Sequence, residues 1–408
     1  MEPSMQRHFL FLQGMPCDFM RRVGDALQMR GHRVSRINLC FADWLFWHDR
    51  RALSYRGRLA QWPAFLREFL QRQAVTDLVL LGEQRKYHRE AVALAQSLNI
   101  RVMVTDFGYF RPDWITLEPN GMGAQSTMPK DPAVIRQLAA ELPEIDFTPC
   151  HLDSSLRMAL GDLAGSFGNL LGWMGYPHYR QSDERPHPLL YFPAMGWSLL
   201  RERSRTRQAQ RDFARLQRRG RPFFVFALQL DHDFQIRAYS PFAGMEQALD
   251  QVLHSFARHA PEQCELLIKT HPWDPGLIRW SSVIARQARA LALGDRVHLL
   301  QGGSLDQMMA DAQGMVTVNS TAGLQALRLQ KPVQVLGSAV YDIAGLTHQA
   351  GLDRFWMAPG APDPLLLDAF IRLLVQRTQL RGVFFAPSAQ HGAVIDRFAE
   401  RLLSLPPA

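Results

Sequence analysis

The stretch that most constrains this chain is Glu265-Leu-Leu-Ile-Lys-Thr-His-Pro-Trp-Asp-Pro-Gly276. Leu266, Leu267 and Ile268 are a short apolar run, the signature of a buried strand in a parallel sheet. The run passes straight into Lys269, His271 and Pro272. Proline ends the strand and holds the preceding residue extended. A cation and an imidazole are thereby delivered to the carboxyl end of a central strand, the edge where open α/β sheets bind ligands. The pattern recurs at Gly314-Met-Val-Thr-Val-Asn319, where a strand gives way to Ser320 and Thr321 and then to a helix-forming run. Asn or Ser at a helix N-cap leaves amide and hydroxyl groups facing the same edge. Taken singly, a His-Pro is an ordinary loop and a Ser-Thr an ordinary cap. Both at strand ends, in this order, predict an anion site with a cationic side and a hydroxyl-and-amide side.

The chain has 408 residues, long for one core, so two domains are expected. Cys17, Cys40, Cys150 and Cys264 are scattered, with neither CxxC nor metal-ligand spacing, which fits a reducing compartment better than a disulfide framework. The first residues lack the basic-then-apolar pattern of a signal peptide, and no apolar run is long enough to predict a spanning helix. A formal charge of +8 points to an anionic partner: nucleotide, acidic sugar, nucleic acid or negative membrane face.

The N-terminal half alternates strand and helix as a doubly wound α/β domain does. Strands are expected at 8–12, Val34–Leu39, Asp77–Gly82 and Arg101–Thr105. The first strand leads to Gln13-Gly14 and a helix stopping at Gly31, but without GxGxxG, so a dinucleotide fingerprint is not supported. The third ends in Glu83-Gln84-Arg85, and the fourth in Asp106-Phe-Gly-Tyr109. Phe41, Trp44, Phe46, Trp47 and Tyr55 are core or a sugar-stacking surface. Asp106 at a strand end and Glu118 in the following loop can each supply a general base; the structural alternatives are a helix cap and an arginine pair.

Residues 129–180 have helical period and a row of glycines, read as close helix packing, with an interfacial segment as the alternative. Then Arg201, Arg203, Arg205, Arg207, Arg211, Arg215, Arg218, Arg219 and Arg221 face only Glu202 and Asp212. This run is a solvated helix, a surface for anionic lipid, or a nucleic-acid contact, the last disfavoured for want of a recognition motif. The second domain opens with the strand Phe223–Leu228, which ends in Gln229-Leu-Asp231-His-Asp233. Asp-His-Asp resembles a metal-binding DxD, but no other acidic cluster is near in sequence, and nucleophile or base work suits strand-end carboxylates better. No metal or cofactor is therefore expected.

These residues carry a resemblance. Phe-Leu-Phe-Leu-Gln-Gly14, Gly82-Glu83-Gln-Arg85-Lys-Tyr87-His88, Gly108-Tyr109-Phe-Arg111-Pro112-Asp113-Trp-Ile-Thr-Leu-Glu118, Gln229-Leu-Asp-His-Asp233, Lys269-Thr-His271-Pro272 and Asn319-Ser320-Thr321-Ala-Gly323 span most of the chain. Together they resemble the capsular polysaccharide proteins of the KpsS/LipB type, which are similar to β-Kdo transferases. The pattern departs where an acidic pair would precede Gly-Tyr: here it reads Asp106-Phe107-Gly108, leaving a base role for Asp106 open.

The resemblance implies a GT-B-like α/β fold, two Rossmann-type domains facing a cleft. Residues 1–200 would be the acceptor domain, 201–221 a basic linker, 222–380 the CMP-sugar-binding domain and 381–408 a C-terminal helix packing back. The donor would be CMP-Kdo and the acceptor a phosphatidylglycerol-type lipid, an anionic phospholipid at the cytoplasmic face of the inner membrane. Other capsule assembly proteins would be partners. Because a β-linked donor gives a β linkage, configuration is retained, which a carboxylate nucleophile and two displacements achieve. Asp233 is the expected nucleophile and Asp231 the reserve. Lys269 and His271 would stabilise the departing phosphate, with Pro272, Asn319, Ser320, Thr321 and Gln229 in the same cradle and Glu83, Arg85 and Glu118 as further substrate contacts. A single monophosphate needs less neutralisation than a diphosphate, so this account requires no metal. The alternative is a non-catalytic component of capsule export that binds a lipid-linked glycan.

Overall fold

A computed structural model describes residues 6–151, 153–181, 185–386 and 388–404. The chain divides into two compact units: residues up to Thr127 with 144–182 and 374 onward, and Met128–Pro143 with 183–373.

The first unit is built on β1 (His8–Phe11), β2 (Arg33–Asn38), β3 (Ala52–Ser54), β4 (Asp77–Leu81), β5 (Arg101–Phe107) and β6 (Trp114–Pro119). The second carries β7 (Phe223–Ala227), β8 (Glu265–Lys269), β9 (Val297–Leu300), β10 (Gly314–Thr317) and β11 (Val333–Val335), and β12 (Gln379–Arg381) returns to the first. The sheet orders are β12-β6-β5-β4-β1-β2-β3 and β11-β10-β7-β8-β9. Every pairing in the second sheet is parallel. In the first, β6 and β12 add an antiparallel edge to a parallel set. The expected doubly wound α/β class is thus found in both units.

Both sheets are covered on two faces, which is why their strands read as apolar runs rather than alternations. In the first unit Phe9 and Phe11 pack with Phe19, Phe398 and Leu402, while Leu10 and Leu12 pack with Trp62, Leu66 and Tyr87. In the second, Phe224, Phe226, Leu266, Ile268, Val316 and Val318 share one core with Leu249, Phe256 and Trp356.

Several expectations change. Glu118 lies on β6, not in a loop, because Trp114–Pro119 pairs along β5 with Val104 opposite Glu118. The region 129–180 has the expected helical period, but divided into the α-helices Pro132–Ala139 and Ser155–Leu171, one in each unit, with a one-turn helix at Trp173–Gly175. Its glycines serve close packing: a Cβ on Gly161 would strike the backbone carbonyl of Pro16. Residues 201–221, expected as a linker, are mostly the helix Glu202–Arg219 of the second unit. Ala209, Phe213 and Leu216 recur on its buried side, and this helical spacing outweighs the density of charge. Of the early aromatics, Trp47 and Tyr55 are core, whereas Trp44 is 40% exposed.

Candidate functional site

In the second sheet the strand order reverses between β7 and β10, making their carboxyl ends the topological switch point. Gln229 follows β7 and Asn319 follows β10. The Gln229 side-chain amide donates to Asn319 Oδ1 at 2.9 Å, and the Asn319 backbone N–H donates to Gln229 Oε1 at 3.1 Å. Asn319 Nδ2 also donates to the Gln235 carbonyl at 2.9 Å. These bonds tie the two strand ends together, so the loops that carry the candidate residues start from fixed points.

Ser320 is the N-cap of the helix Thr321–Arg328; its Oγ accepts from the Ala322 N–H at 3.2 Å. The Tyr341 hydroxyl donates to the Ser320 carbonyl, and burial holds that phenol well above its ordinary pKa. A Cβ on residue 323 would collide with the same hydroxyl, which accounts for Gly323 in the motif. Thr321 is exposed at the helix start.

Lys269 ends β8, beside β7, and is buried. Its ammonium reaches the Thr270 carbonyl at 3.4 Å and forms no ion pair with a carboxylate among the described residues. Burial lowers its pKa. His271 is half-buried, and its Nδ1 accepts from the Trp273 N–H at 3.1 Å. The ring proton is then on Nε2, where it can be donated to an anion. Pro272 is exposed. Asp274 closes the turn, accepting from the Gly276 N–H at 2.8 Å and the Trp280 indole at 2.9 Å.

The two acidic residues after β7 part company. Asp231 Oδ1 accepts from the Met245 N–H at 2.8 Å, at the start of the helix Met245–His259. Asp233 is the N-cap of the helix Phe234–Tyr239, its Oδ1 accepting from the Gln235 N–H at 3.0 Å. Each carboxylate commits one oxygen to a different helix start. Asp233 remains half-buried at the same sheet edge as Lys269.

The first sheet has its own switch point, between β1 and β4, flanked by Gln13 and the buried Glu83. Glu118 is fully buried; Tyr109 Oη donates to its Oε1 at 2.7 Å and Ser126 Oγ donates to its Oε2. Tyr109 Oη in turn accepts from the Gly123 N–H at 2.8 Å. Burial pushes the Glu118 carboxyl up to about 7, with the negative charge of Glu83 acting in the same direction and the two hydroxyl donors opposing it. Among the described residues no arginine pairs with it; tyrosine and serine take that place.

Asp106 accepts from the Phe107 N–H at 2.7 Å and caps no helix. Its pKa is raised by burial and pulled back by the charges of Arg111 and Arg85. Arg85 is half-buried at the start of the helix Lys86–Ser97. His88, on that helix, points Nδ1 at the carbonyls of Leu81 and Gly82, both at 2.9 Å. Desolvation, with the Arg85 charge, depresses it to about 3, so it is neutral at working pH.

Tyr109 and Ser126 as partners of Glu118, and Tyr341 as the anchor of Ser320, are not legible in the sequence. A hydroxyl donor has no periodic or charge signature, and Tyr341 is remote in sequence from Ser320.

A family model described as capsule polysaccharide biosynthesis protein matches residues 76–385. The capsule polysaccharide export protein KpsS of Escherichia coli is 31% identical over 391 residues, covering 93% of this chain and 97% of that protein. The capsule polysaccharide modification protein LipB of Neisseria meningitidis serogroup A is 31% identical over 389 residues, covering 93% of this chain and 92% of that protein. Among solved structures, Thermosulfurimonas dismutans KpsC, described as a beta Kdo 2,7 transferase, aligns at 13% identity and a TM-score of 0.46, over 98% of this chain and all of that one. The chain belongs to the capsule polysaccharide biosynthesis protein family.

Proposed function

We propose that this protein is a retaining β-Kdo glycosyltransferase that uses CMP-Kdo to build the Kdo linker on a phosphatidylglycerol-type lipid, at the cytoplasmic face of the inner membrane. The observation that carries the reading is the carboxyl edge of the second sheet, where Lys269 lies buried at the end of β8 with no carboxylate partner among the described residues, and Gln229 and Asn319 bridge the ends of β7 and β10. A buried ammonium without a counter-ion favours an anionic ligand. His271 Nε2–H and the Thr321 N–H at the start of Thr321–Arg328 add neutral donors suited to one phosphate group.

In this reading the Asp233 carboxylate attacks the anomeric carbon of the sugar acid. The bond to the phosphate oxygen breaks, and CMP leaves with its charge met by Lys269, His271 and Ser320. The lipid hydroxyl then attacks the same carbon from the face that CMP left, the bond to the Asp233 carboxylate breaks and frees it, and the hydroxyl proton passes to a base, so that the original configuration is restored. Asp231 is the reserve nucleophile. Glu83, Arg85 and Glu118 are read as contacts for the acceptor.

A second reading is favoured by the capping roles of Asp231 and Asp233, which give both carboxylates structural work. The protein would then bind a lipid-linked glycan without turning it over. Mixing purified protein with CMP-Kdo and phosphatidylglycerol-type lipids, and reading products by mass spectrometry, separates the two. A lipid heavier by Kdo supports transfer. CMP release with no lipid product means hydrolysis, and no change in either substrate leaves only binding.

A further inference from the structure

The helix Pro188–Leu200 has no charged residue along its length. Tyr191, Met195 and Ser198 form its buried side. On the rest, Leu189, Leu190, Trp197, Leu199 and Leu200 are 62, 57, 62, 49 and 81% exposed. Exposed apolar residues are ordinary when scattered singly, but a group of them on one short helix marks an interaction surface. At Arg201 the chemistry reverses. Arg201, Arg203, Arg207 and Arg211 are all exposed, and the last three belong to the helix Glu202–Arg219, whose apolar side is turned inward. Of the acids in that helix, Asp212 is already engaged by Gln208 and Arg215.

The apolar helix is about 20 Å long at 1.5 Å per residue, short of the roughly 30 Å hydrocarbon core of a bilayer. No helix among the described residues is long and apolar enough to cross a membrane. An uncharged helix too short to span, with tryptophan near one end and arginines beyond it, suits the interface between headgroups and acyl chains. Its polar half is supplied by the adjoining arginine helix rather than by its own opposite face. A second copy of this chain is a poorer occupant. A two-fold contact apposes the same patch on both partners, so the exposed arginines beside it would face their own kind.

We infer that the exposed face of Pro188–Leu200, with the arginines that follow it, is a docking surface for an anionic lipid bilayer. The apolar side chains enter the headgroup–acyl boundary and the arginines meet lipid phosphates. The buried side of the same helix touches the candidate site. Ser198 Oγ donates to the Asp274 carbonyl at 3.0 Å, and the Tyr191 ring packs edge-on to His232 at 5.9 Å between centroids. Docking through this helix therefore fixes the loops after β7 and β8 relative to the bilayer surface. The lipid contact stands without the transfer reading: vesicle binding with no sugar transfer would sink only the latter.

The test is flotation of the full chain with phosphatidylglycerol-containing vesicles and with phosphatidylcholine vesicles, each at low and high salt. Wild type should float with the anionic vesicles and keep a residual fraction at high salt. Leu189→Gln/Trp197→Gln/Leu200→Gln should lose roughly tenfold or more in partitioning at both salts. Arg203→Gln/Arg207→Gln/Arg211→Gln should lose most of the salt-sensitive part. Thermal melting checks that the variants fold, and the single change Leu200→Gln, at the most exposed of the five positions, serves if the triple does not. Wild type that fails to float, equal flotation with both lipids, or an apolar variant that floats like wild type would overturn the proposal. So would a wild-type dimer, formed without vesicles, that the apolar substitutions dissociate, since a second copy would then own the face.

Discussion

Replacing Glu118 with Gln removes a carboxyl that burial holds at about 7, against an ordinary value of 4.5. The folded-state pKa lies above the unfolded one. Its contribution to stability is therefore complete below pH 4.5 and is lost as pH rises through about 7. The difference between those values corresponds to on the order of 3 kcal/mol. Glutamine keeps the shape and an acceptor for Tyr109 Oη, and the Ser126 hydroxyl can turn to accept from the new amide. The variant should then match wild type near pH 5 and exceed it at pH 8. Melting temperatures of both proteins across pH 4.5–8.5 should diverge with rising pH, by roughly 6–12 °C at the alkaline end for a unit of this size. Other groups titrate equally in both proteins, so the difference curve isolates Glu118. A difference that stays flat across this range would refute the account of a buried, proton-holding carboxyl on β6.

Asp233→Asn should retain CMP binding while Kdo transfer falls by orders of magnitude, because the lost charge acts mainly in the transition state; near-normal turnover would shift attention to Asp231. His271→Ala and Ser320→Ala should each weaken CMP binding in calorimetry without unfolding the protein, and unchanged affinity in both would remove them from the site. Asn319→Ala breaks the bridge to Gln229 and should cost about 1–3 kcal/mol in denaturant unfolding, together with CMP affinity; a loss of neither would mean the strand ends hold their positions without it. Arg381→Ala leaves the buried Asp113 carboxylate short of a partner it meets at 3.1 Å. A loss of about 3–5 kcal/mol is expected by chemical denaturation, and a loss below about 1 would show that His151, whose Nδ1 lies 2.7 Å from Asp113 Oδ1, suffices.

The sequence alone determined the class of fold, because strands buried on both faces must be continuous apolar runs, and Leu266–Ile268, Phe223–Leu228 and Asp77–Leu81 are such runs. It also placed Lys269, His271, Asn319 and Ser320 at strand ends, since a proline and a cap residue mark those ends locally. Strand β6 escaped it because antiparallel pairing depends on a partner, and Trp114–Pro119 reads as a loop until β5 lies beside it. At Glu202–Arg219 the charge is compatible with the solvated helix among the readings, but its buried Ala209, Phe213 and Leu216 are few among arginines, and only packing shows which side turns inward. The same limit governed the site. Gln229 and Asn319 lie 90 positions apart, so no periodicity connects their side chains. The proton-holding state of Glu118 depends on desolvation, on Glu83 from another strand end, and on hydroxyls from Tyr109 and Ser126. Each of these is set by through-space distance, which local sequence pattern does not encode and the tertiary fold alone decides.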